Sequence, residues 1–248
     1  MGRFFVVGDI HACPQELVDL ITACALERED HLVFLGDYID RGPGAREVVD
    51  FLLDLQADQV CTLTFLKGNH EDMLLDFLGY PGHFGESFLM NGGVTTLKSY
   101  GLTEGMAGHR AAERLPPHHL IFFQQLERYV AIDETLCVHA GVNPLCSLEE
   151  QDEESLFWIR QEFITHRHAL PYTVLFGHTP QREVLLDLPY KVGLDTGLVY
   201  GGKLSCLEVT EKKLLQVRKG IRRVEVTELA RYWQTVHPKL ARVLTAEH

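Results

Sequence analysis

The chain has 248 residues, carries 23 Lys and Arg against 35 Asp and Glu for a formal charge of −12, and is 46% apolar and 23% charged. A chain of that length buries roughly three quarters of its unfolded surface, and the composition, with 10 Pro and 21 Gly, is that of an ordinary globular protein and not of a disordered one. The acidic balance argues against general affinity for nucleic-acid backbones or anionic membranes, so any binding of phosphate calls for metal.

Short apolar runs alternate with helical patterns through the first 80 residues. Phe4 to Val7, Leu32 to Leu35 and Thr62 to Leu66 have the length and β-enrichment of buried strands. Between and after them, Pro14 to Ala25, Ala45 to Leu55 and Glu71 to Leu78 place apolar residues at helical spacing. The βαβαβα order predicts a parallel sheet covered by helices. Tyr80 to Leu126 reads as a helical insertion, with helices from Val94 to Tyr100 and Pro117 to Leu126. Strands return at Tyr129 to Ile132, Thr135 to Val138 and Thr173 to Phe176. Lys191 to Leu194, Lys203 to Val209 and Lys213 to Val217 follow, and their short spacing suggests an antiparallel second sheet. A closing helix is expected from Thr227 to Val236, stopped by Pro238. No linker or repeat divides the chain, so residues 1–248 are expected to form a single domain of α/β (mixed α+β) class, two packed β-sheets flanked by helices.

No apolar run is long enough to span a bilayer. The apolar amino-terminal stretch ends at Gly8-Asp9, too short for a secretory signal, and Val6 does not suit a myristoylation site. Cys13, Cys24, Cys61, Cys137, Cys146 and Cys206 are scattered without C-x-x-C spacing, which suggests neither a zinc knuckle nor a disulfide framework. A cytoplasmic protein without membrane or nucleic-acid partners is the expectation.

The polar residues of interest stand where apolar runs end: Gly8-Asp9-Ile10-His11, Gly36-Asp37-Tyr38-Ile39-Asp40-Arg41-Gly42, Gly68-Asn69-His70-Glu71, His139-Ala140-Gly141 and Gly177-His178-Thr179. The carboxyl edge of an open α/β sheet is where ligands bind. Asp9, His11, Asp37, Asn69, His139 and His178 pool two carboxylates, one amide oxygen and three imidazoles without a thiolate. That set favours Mn²⁺, Fe²⁺ or Zn²⁺. Six ligands with a central carboxylate able to bridge are the inventory of a site for two divalent metal ions.

GDIHA, GDYIDRG, GNHE, HAG and GHT, in this order, resemble the signature set of the phosphoprotein phosphatases among the calcineurin-like metallophosphoesterases. The resemblance covers roughly residues 3 to 205. It extends through GLDTG and GGKLSCLEV to the small bacterial serine/threonine phosphatases. It implies the αββα sandwich of that family, with Asp9, His11 and Asp37 on one metal and Asp37, Asn69, His139 and His178 on the other. It also implies Arg41 and Asn69 on the substrate phosphate, His70 with Asp40 as the pair that protonates the leaving group, and Arg160 as a second phosphate arginine. Those roles suit the side chains: arginine offers a planar fork to phosphate, and a carboxylate partner fixes the tautomer of a proton-transferring histidine. The first motif departs from the family pattern at Ala12, where glycine is usual, and a Cβ there costs on the order of 1 kcal/mol if φ is positive.

The function expected is a dinuclear phosphomonoesterase, a serine/threonine protein phosphatase using two divalent ions such as Mn²⁺. Its partner would be a phosphorylated protein or small phosphoester. The alternative is a nucleotide hydrolase resembling the symmetrical diadenosine tetraphosphatases, in which the position matching Asp40 is typically not acidic. A non-catalytic scaffold would be missing ligands, and none is missing. Histidines outside the motifs, including His118-His119 and the His166/His168 pair, are expected on the surface. Lys212, Lys213, Arg218, Lys219, Arg222 and Arg223 are expected to be a solvated sheet edge, and Trp233 with Leu229 and Val236 to be helix packing. Asn91-Gly92-Gly93 is read either as an approach to the site or as a plain turn.

Overall fold

A computed structural model describes residues 2–234. The first half follows the predicted alternation: β1 (Phe4–Val7), α1 (Pro14–Cys24), β2 (His31–Phe34), α2 (Ala45–Ala57), β3 (Thr62–Phe65) and α3 (Asn69–Leu78). The insertion carries two short turns at Gly85–Ser87 and Leu89–Gly93, then α4 (Val94–Ser99), α5 (Gly108–Ala112) and α6 (Pro117–Gln124). The second half holds β4 (Tyr129–Ile132), β5 (Thr135–Val138), α7 (Glu153–Trp158), α8 (Gln161–Thr165), β6 (Thr173–Phe176), β7 (Leu185–Asp187) and β8 (Lys191–Gly193). It continues through β9 (Lys203–Glu208), β10 (Lys213–Arg218), β11 (Val224–Glu228) and α9 (Ala230–Gln234).

Two mixed sheets result, ordered β11-β10-β9-β1-β2-β3 and β4-β5-β6-β8-β7. Side-chain alternation along each strand explains how they stack. Phe5 and Val7 of β1 enter a core shared with α1, α2 and the insertion, whereas Val6, Val33, Leu35 and Leu207 face Cys137, Leu175 and Val192 of the other sheet. Leu136, Val138, Val174 and Phe176 pack outward against Phe157 and Phe163 of α7 and α8. The molecule is thus a two-sheet sandwich with helices on both outer faces.

The expected antiparallel second sheet is corrected. The pairing of β9 with β10 is antiparallel, but both belong to the first sheet, where β9 lies against β1 with Val6 opposite Leu207. The physical reason is the edge that β1 leaves open in a parallel β1-β2-β3 array. β9, buried from Leu204 to Glu208, fills it. β8 instead runs parallel to β6 and takes β7 as its antiparallel partner. The closing helix is also corrected: Thr227 and Glu228 end β11, and helix begins at Ala230. Leu229 is buried and Trp233 packs against the core between the sheets, while Val236 and Pro238 lie outside the described residues.

Two of the histidines expected on the surface are buried, His119 and His168. His119 bonds Tyr100 and Asp50, and His168 Nε2 bonds the carbonyl of Tyr190. Of the basic cluster, Lys219 pairs with Glu16 and Arg222 with Asp19, both on α1, so these cations dock the turn after β10 onto a helix. All six cysteines are free thiols, with Cys24 and Cys206 Sγ atoms 3.9 Å apart.

Candidate metal centre

Loops leave the carboxyl ends of β1, β2, β3, β5 and β6 and converge on one edge of the sandwich. Glycine permits the approach of the second and third. Gly36 has φ of 106°, and a Cβ there would meet Gly68 N at 2.5 Å; a Cβ on Gly68 would meet Asp37 Oδ1 at 2.2 Å. Buried Glu71 then ties the two loops together. Its Oε2 accepts from the N–H groups of Asp37 (2.9 Å) and Gly68 (3.0 Å), and its Oε1 from those of Tyr38 (2.8 Å) and Ile39 (3.3 Å). Burial and the nearby Asp37 carboxylate push the Glu71 pKa up to about 8 against the pull of those donors. Glu71 closes the GNHE motif, but the motif alone assigns it no role. A carboxylate following histidine at the start of a helix was the signal available.

Strained backbone concentrates here. Non-glycine residues with positive φ include His11 (45°), Ala12 (53°), Asp37 (54°), Asp40 (68°), Arg41 (67°) and His178 (65°). Such conformations persist where surrounding contacts over-determine them, and they cluster at functional sites. Ala12 therefore does carry the left-handed conformation for which glycine is usual. Its N–H donates to Tyr38 O at 2.8 Å and its methyl is wholly buried, which offsets the strain.

Asp37 occupies the middle of the cluster. One group of potential ligands is His11, Asp37 and His70, another is Asp37, His139 and His178, and within each group the ligand atoms lie within 4.8 Å of one another. Asp37 Oδ2 is 3.4 Å from His11 Nε2, and Oδ1 is 3.4 Å from His139 Nε2. Burial opposes its charge, yet the four imidazoles of His139, His70, His11 and His178 hold its carboxyl far below the usual range. Asn69 Oδ1 is 3.0 Å from His139 Nε2 and 2.8 Å from His178 Nδ1. Asp9 stands beside these groups and outside both. Its Oδ1 and Oδ2 accept from the His178 N–H at 3.1 and 3.0 Å, and burial, Asp195 and Asp37 raise its pKa well above the ordinary value.

Tautomers test whether a cation fits. His11 Nδ1 lies 3.0 Å from Ile39 O and His139 Nδ1 lies 2.8 Å from Leu35 O. A carbonyl only accepts, so both rings keep their proton on Nδ1 and turn an Nε2 lone pair inward. The His139 lone pair faces the oxygens of Asp37 and Asn69, acceptors with no proton to share, while that of His11 faces Asp37 and the Arg41 guanidinium. Burial keeps His11 neutral, with a pKa near 3, and lowers that of His139. Neutral imidazoles oriented by carbonyls around a charged carboxylate are what divalent metals bind.

The remaining predicted residues stand beside this cluster. His70 Nδ1 is 2.6 Å from Asp40 Oδ2, both fully buried, and His70 Nε2 has no hydrogen-bond partner among the described residues. Burial works against a charged ring, but Asp37 and Asp40 outweigh it and leave the His70 pKa raised. Thr96 of α4, absent from the sequence-based expectations, donates its hydroxyl to Asp40 Oδ1 (2.5 Å) and accepts from Asp40 N at 2.9 Å. No motif marks Thr96. Arg41 Nη1 donates to His11 Nε2 at 2.5 Å, its guanidinium lies 5.5 Å from the Tyr200 ring, and its N–H reaches Gly92 O at 3.4 Å. The Asn91-Gly92-Gly93 turn therefore does approach the site. Arg160, exposed at the start of α8, donates from Nη1 to His178 O at 3.1 Å. Asp195, in GLDTG, is also buried here; burial and Asp37 raise its pKa to about 6 against a bond from Gly197 N.

A family model for calcineurin-like phosphoesterases matches residues 2–206. The chain belongs to that family. Serine/threonine-protein phosphatase 1 of Salmonella typhimurium is 30% identical over 83% of this chain and 91% of its own length. An asymmetrical bis(5′-nucleosyl)-tetraphosphatase, PrpE of Bacillus cereus, is 24% identical over 88% and 95%. A crystal structure provisionally assigned as a diadenosine tetraphosphatase superposes with TM-score 0.67 at 25% identity, covering 88% of this chain and 94% of that one. A cold-active protein tyrosine phosphatase shares the fold, with TM-score 0.62 at 17% identity over 91% and 78%. Calcineurin-like phosphoesterases bind two divalent metals, and the two ligand groups that share Asp37 match that number. Among the described residues no helix is long and apolar enough to cross a membrane.

Proposed function

We propose that this calcineurin-like phosphoesterase is a phosphomonoesterase acting on phosphoserine and phosphothreonine in proteins. Residues 1–248 serve as one catalytic domain, and the segment at about 80–126 is its insertion. Asp9, His11 and Asp37 would hold one divalent ion and Asp37, Asn69, His139 and His178 the other, with Mn²⁺ as the favoured metal. Such ions supply Lewis-acid charge for the phosphoryl oxygens and acidify an attacking water.

The observation that carries the reading is the buried His70–Asp40 pair at 2.6 Å, braced by Thr96. A serine or threonine alkoxide is a poor leaving group and needs a proton as it departs. A nucleotide leaving from a phosphoanhydride does not. His70 keeps its Nδ1 proton on Asp40, which leaves Nε2 as the atom that delivers a proton to the departing oxygen. Arg41 and Asn69 orient the phosphate, and Arg160 reaches the same rim beside His178.

Arg41→Ala is expected to cost about 2–4 kcal/mol of transition-state stabilisation with metal content intact, as for loss of one donor to a reacting oxyanion. Arg160→Ala should give a loss of the same kind in kcat/KM. Wild-type kinetics for Arg160→Ala would leave it only a tie to the His178 backbone.

A second reading, hydrolysis of dinucleoside tetraphosphates, draws on Tyr200. Its exposed ring beside Arg41 offers a face for base stacking. The test is a panel with Mn²⁺: phosphoserine, phosphothreonine and phosphotyrosine peptides, an aryl phosphate and diadenosine tetraphosphate. The highest kcat/KM is expected for the phosphoserine or phosphothreonine peptide, and preference for the tetraphosphate would replace the first reading with the second.

A further inference from the structure

His118-His119 belongs to no catalytic motif, yet the fold brings it against α2. Asp50, His118 and His119 present ligand atoms within 4.8 Å of one another. His119, fully buried in α6, sets its Nε2 2.9 Å from Asp50 Oδ1 and its Nδ1 2.8 Å from the Tyr100 hydroxyl. The rings of His118 and His119 stand edge to face at 4.5 Å, and His118 opens to solvent.

From this arrangement we propose a separate mononuclear site for a Zn²⁺-class divalent cation at Asp50, His118 and His119, joining α2 to α6. Two imidazoles and one carboxylate are a borderline donor set that prefers zinc to Mg²⁺ or Ca²⁺, and the exposed side leaves a fourth position for water. Tyr100 acts on the other nitrogen of the buried ligand, as partners of metal-binding histidines do. Burial raises the pKa of this phenol, so it stays protonated and serves either tautomer. Without metal it donates to Nδ1 while Nε2–H donates to Asp50. With metal, the ring stays neutral and changes tautomer through solvent: Nε2 gives its proton to water, water returns one to Nδ1, and the hydroxyl oxygen accepts the bond from Nδ1–H.

The surroundings distinguish this cluster from the other one that the described residues hold outside the candidate centre, Asp72, His83 and Glu153. There Lys67 lies 3.9 Å from Asp72 in a largely buried pair, so a cation already faces the carboxylate that His83 bonds. At Asp50 the one neighbouring cation among the described residues, Arg46, lies at 3.6 Å on Oδ2, and Oδ1 remains directed at His119. That pair is half exposed and contributes little to holding the carboxylate.

The test is zinc content by mass spectrometry after the full chain is equilibrated with ZnCl₂ and gel filtered. His118→Ala should hold one ion per chain fewer than wild type, and Asp50→Asn likewise, while both keep wild-type phosphatase activity with Mn²⁺. The rise in Tm on adding Zn²⁺ should be smaller in His118→Ala than in wild type, because one stabilising ligand is lost. The result is a difference between two proteins with the same candidate dinuclear centre, so it reads this site whatever that centre holds. Equal zinc content in wild type and His118→Ala, whose exposed side chain is not needed for folding, overturns the proposal.

Discussion

Replacing His70 by asparagine is expected to slow turnover of a phosphoserine peptide by about 10²- to 10⁴-fold, the usual worth of general acid catalysis, and to slow an activated aryl phosphate far less. The expectation follows from geometry. His70 is buried, with Nδ1 held by Asp40 at 2.6 Å and Nε2 left without a hydrogen-bond partner among the described residues. The less a leaving oxygen needs a proton, the less the loss of that group matters. Asp40→Asn should show the same pattern at smaller size, since it weakens the orientation and basicity of the ring without removing it. The measurement is kcat across aryl phosphates of graded leaving-group pKa together with the peptide, with metal content checked in each variant. Equal losses on good and poor leaving groups, with chemistry rate-limiting, would remove the general-acid role and leave His70 a positioning residue.

Asp37→Asn should lower occupancy of both metal positions together, whereas His11→Ala should chiefly empty one. Asp37 directs Oδ2 toward His11 at 3.4 Å and Oδ1 toward His139 at 3.4 Å, so a single carboxylate serves both ligand groups. An amide in its place keeps the shape and the bond from His70 N to Oδ1, but it loses the charge that compensates two cations. Changes to groups that merely support metal ligands cost about 10- to 100-fold in affinity. Loss of a shared carboxylate should exceed that. Metal analysis of the variants at saturating Mn²⁺ decides the matter, and an Asp37→Asn protein that retained two ions would mean the bridge lies elsewhere.

The sequence by itself determined the strand and helix order of the first half and the loops that carry Asp9, His11, Asp37, Asn69, His70, His139 and His178. This legibility has a local cause. Apolar runs four or five residues long end abruptly in glycine and a polar turn, and in a parallel array such ends fall on one edge. Tertiary structure alone decided which sheet received β9 and β10. Their alternation marks strands with buried faces, but only the edge left open on β1 chooses between two sheets. It also decided the groups that brace the site. Thr96 reaches Asp40 across 56 residues and Glu71 reaches the Asp37 loop across 34, contacts that no local pattern encodes. The same holds for His119, which looks like a surface residue beside His118 until Tyr100 and Asp50 close over it. Periodicity records which faces are apolar, whereas a buried polar residue is stabilised by distant partners that only the folded chain assembles.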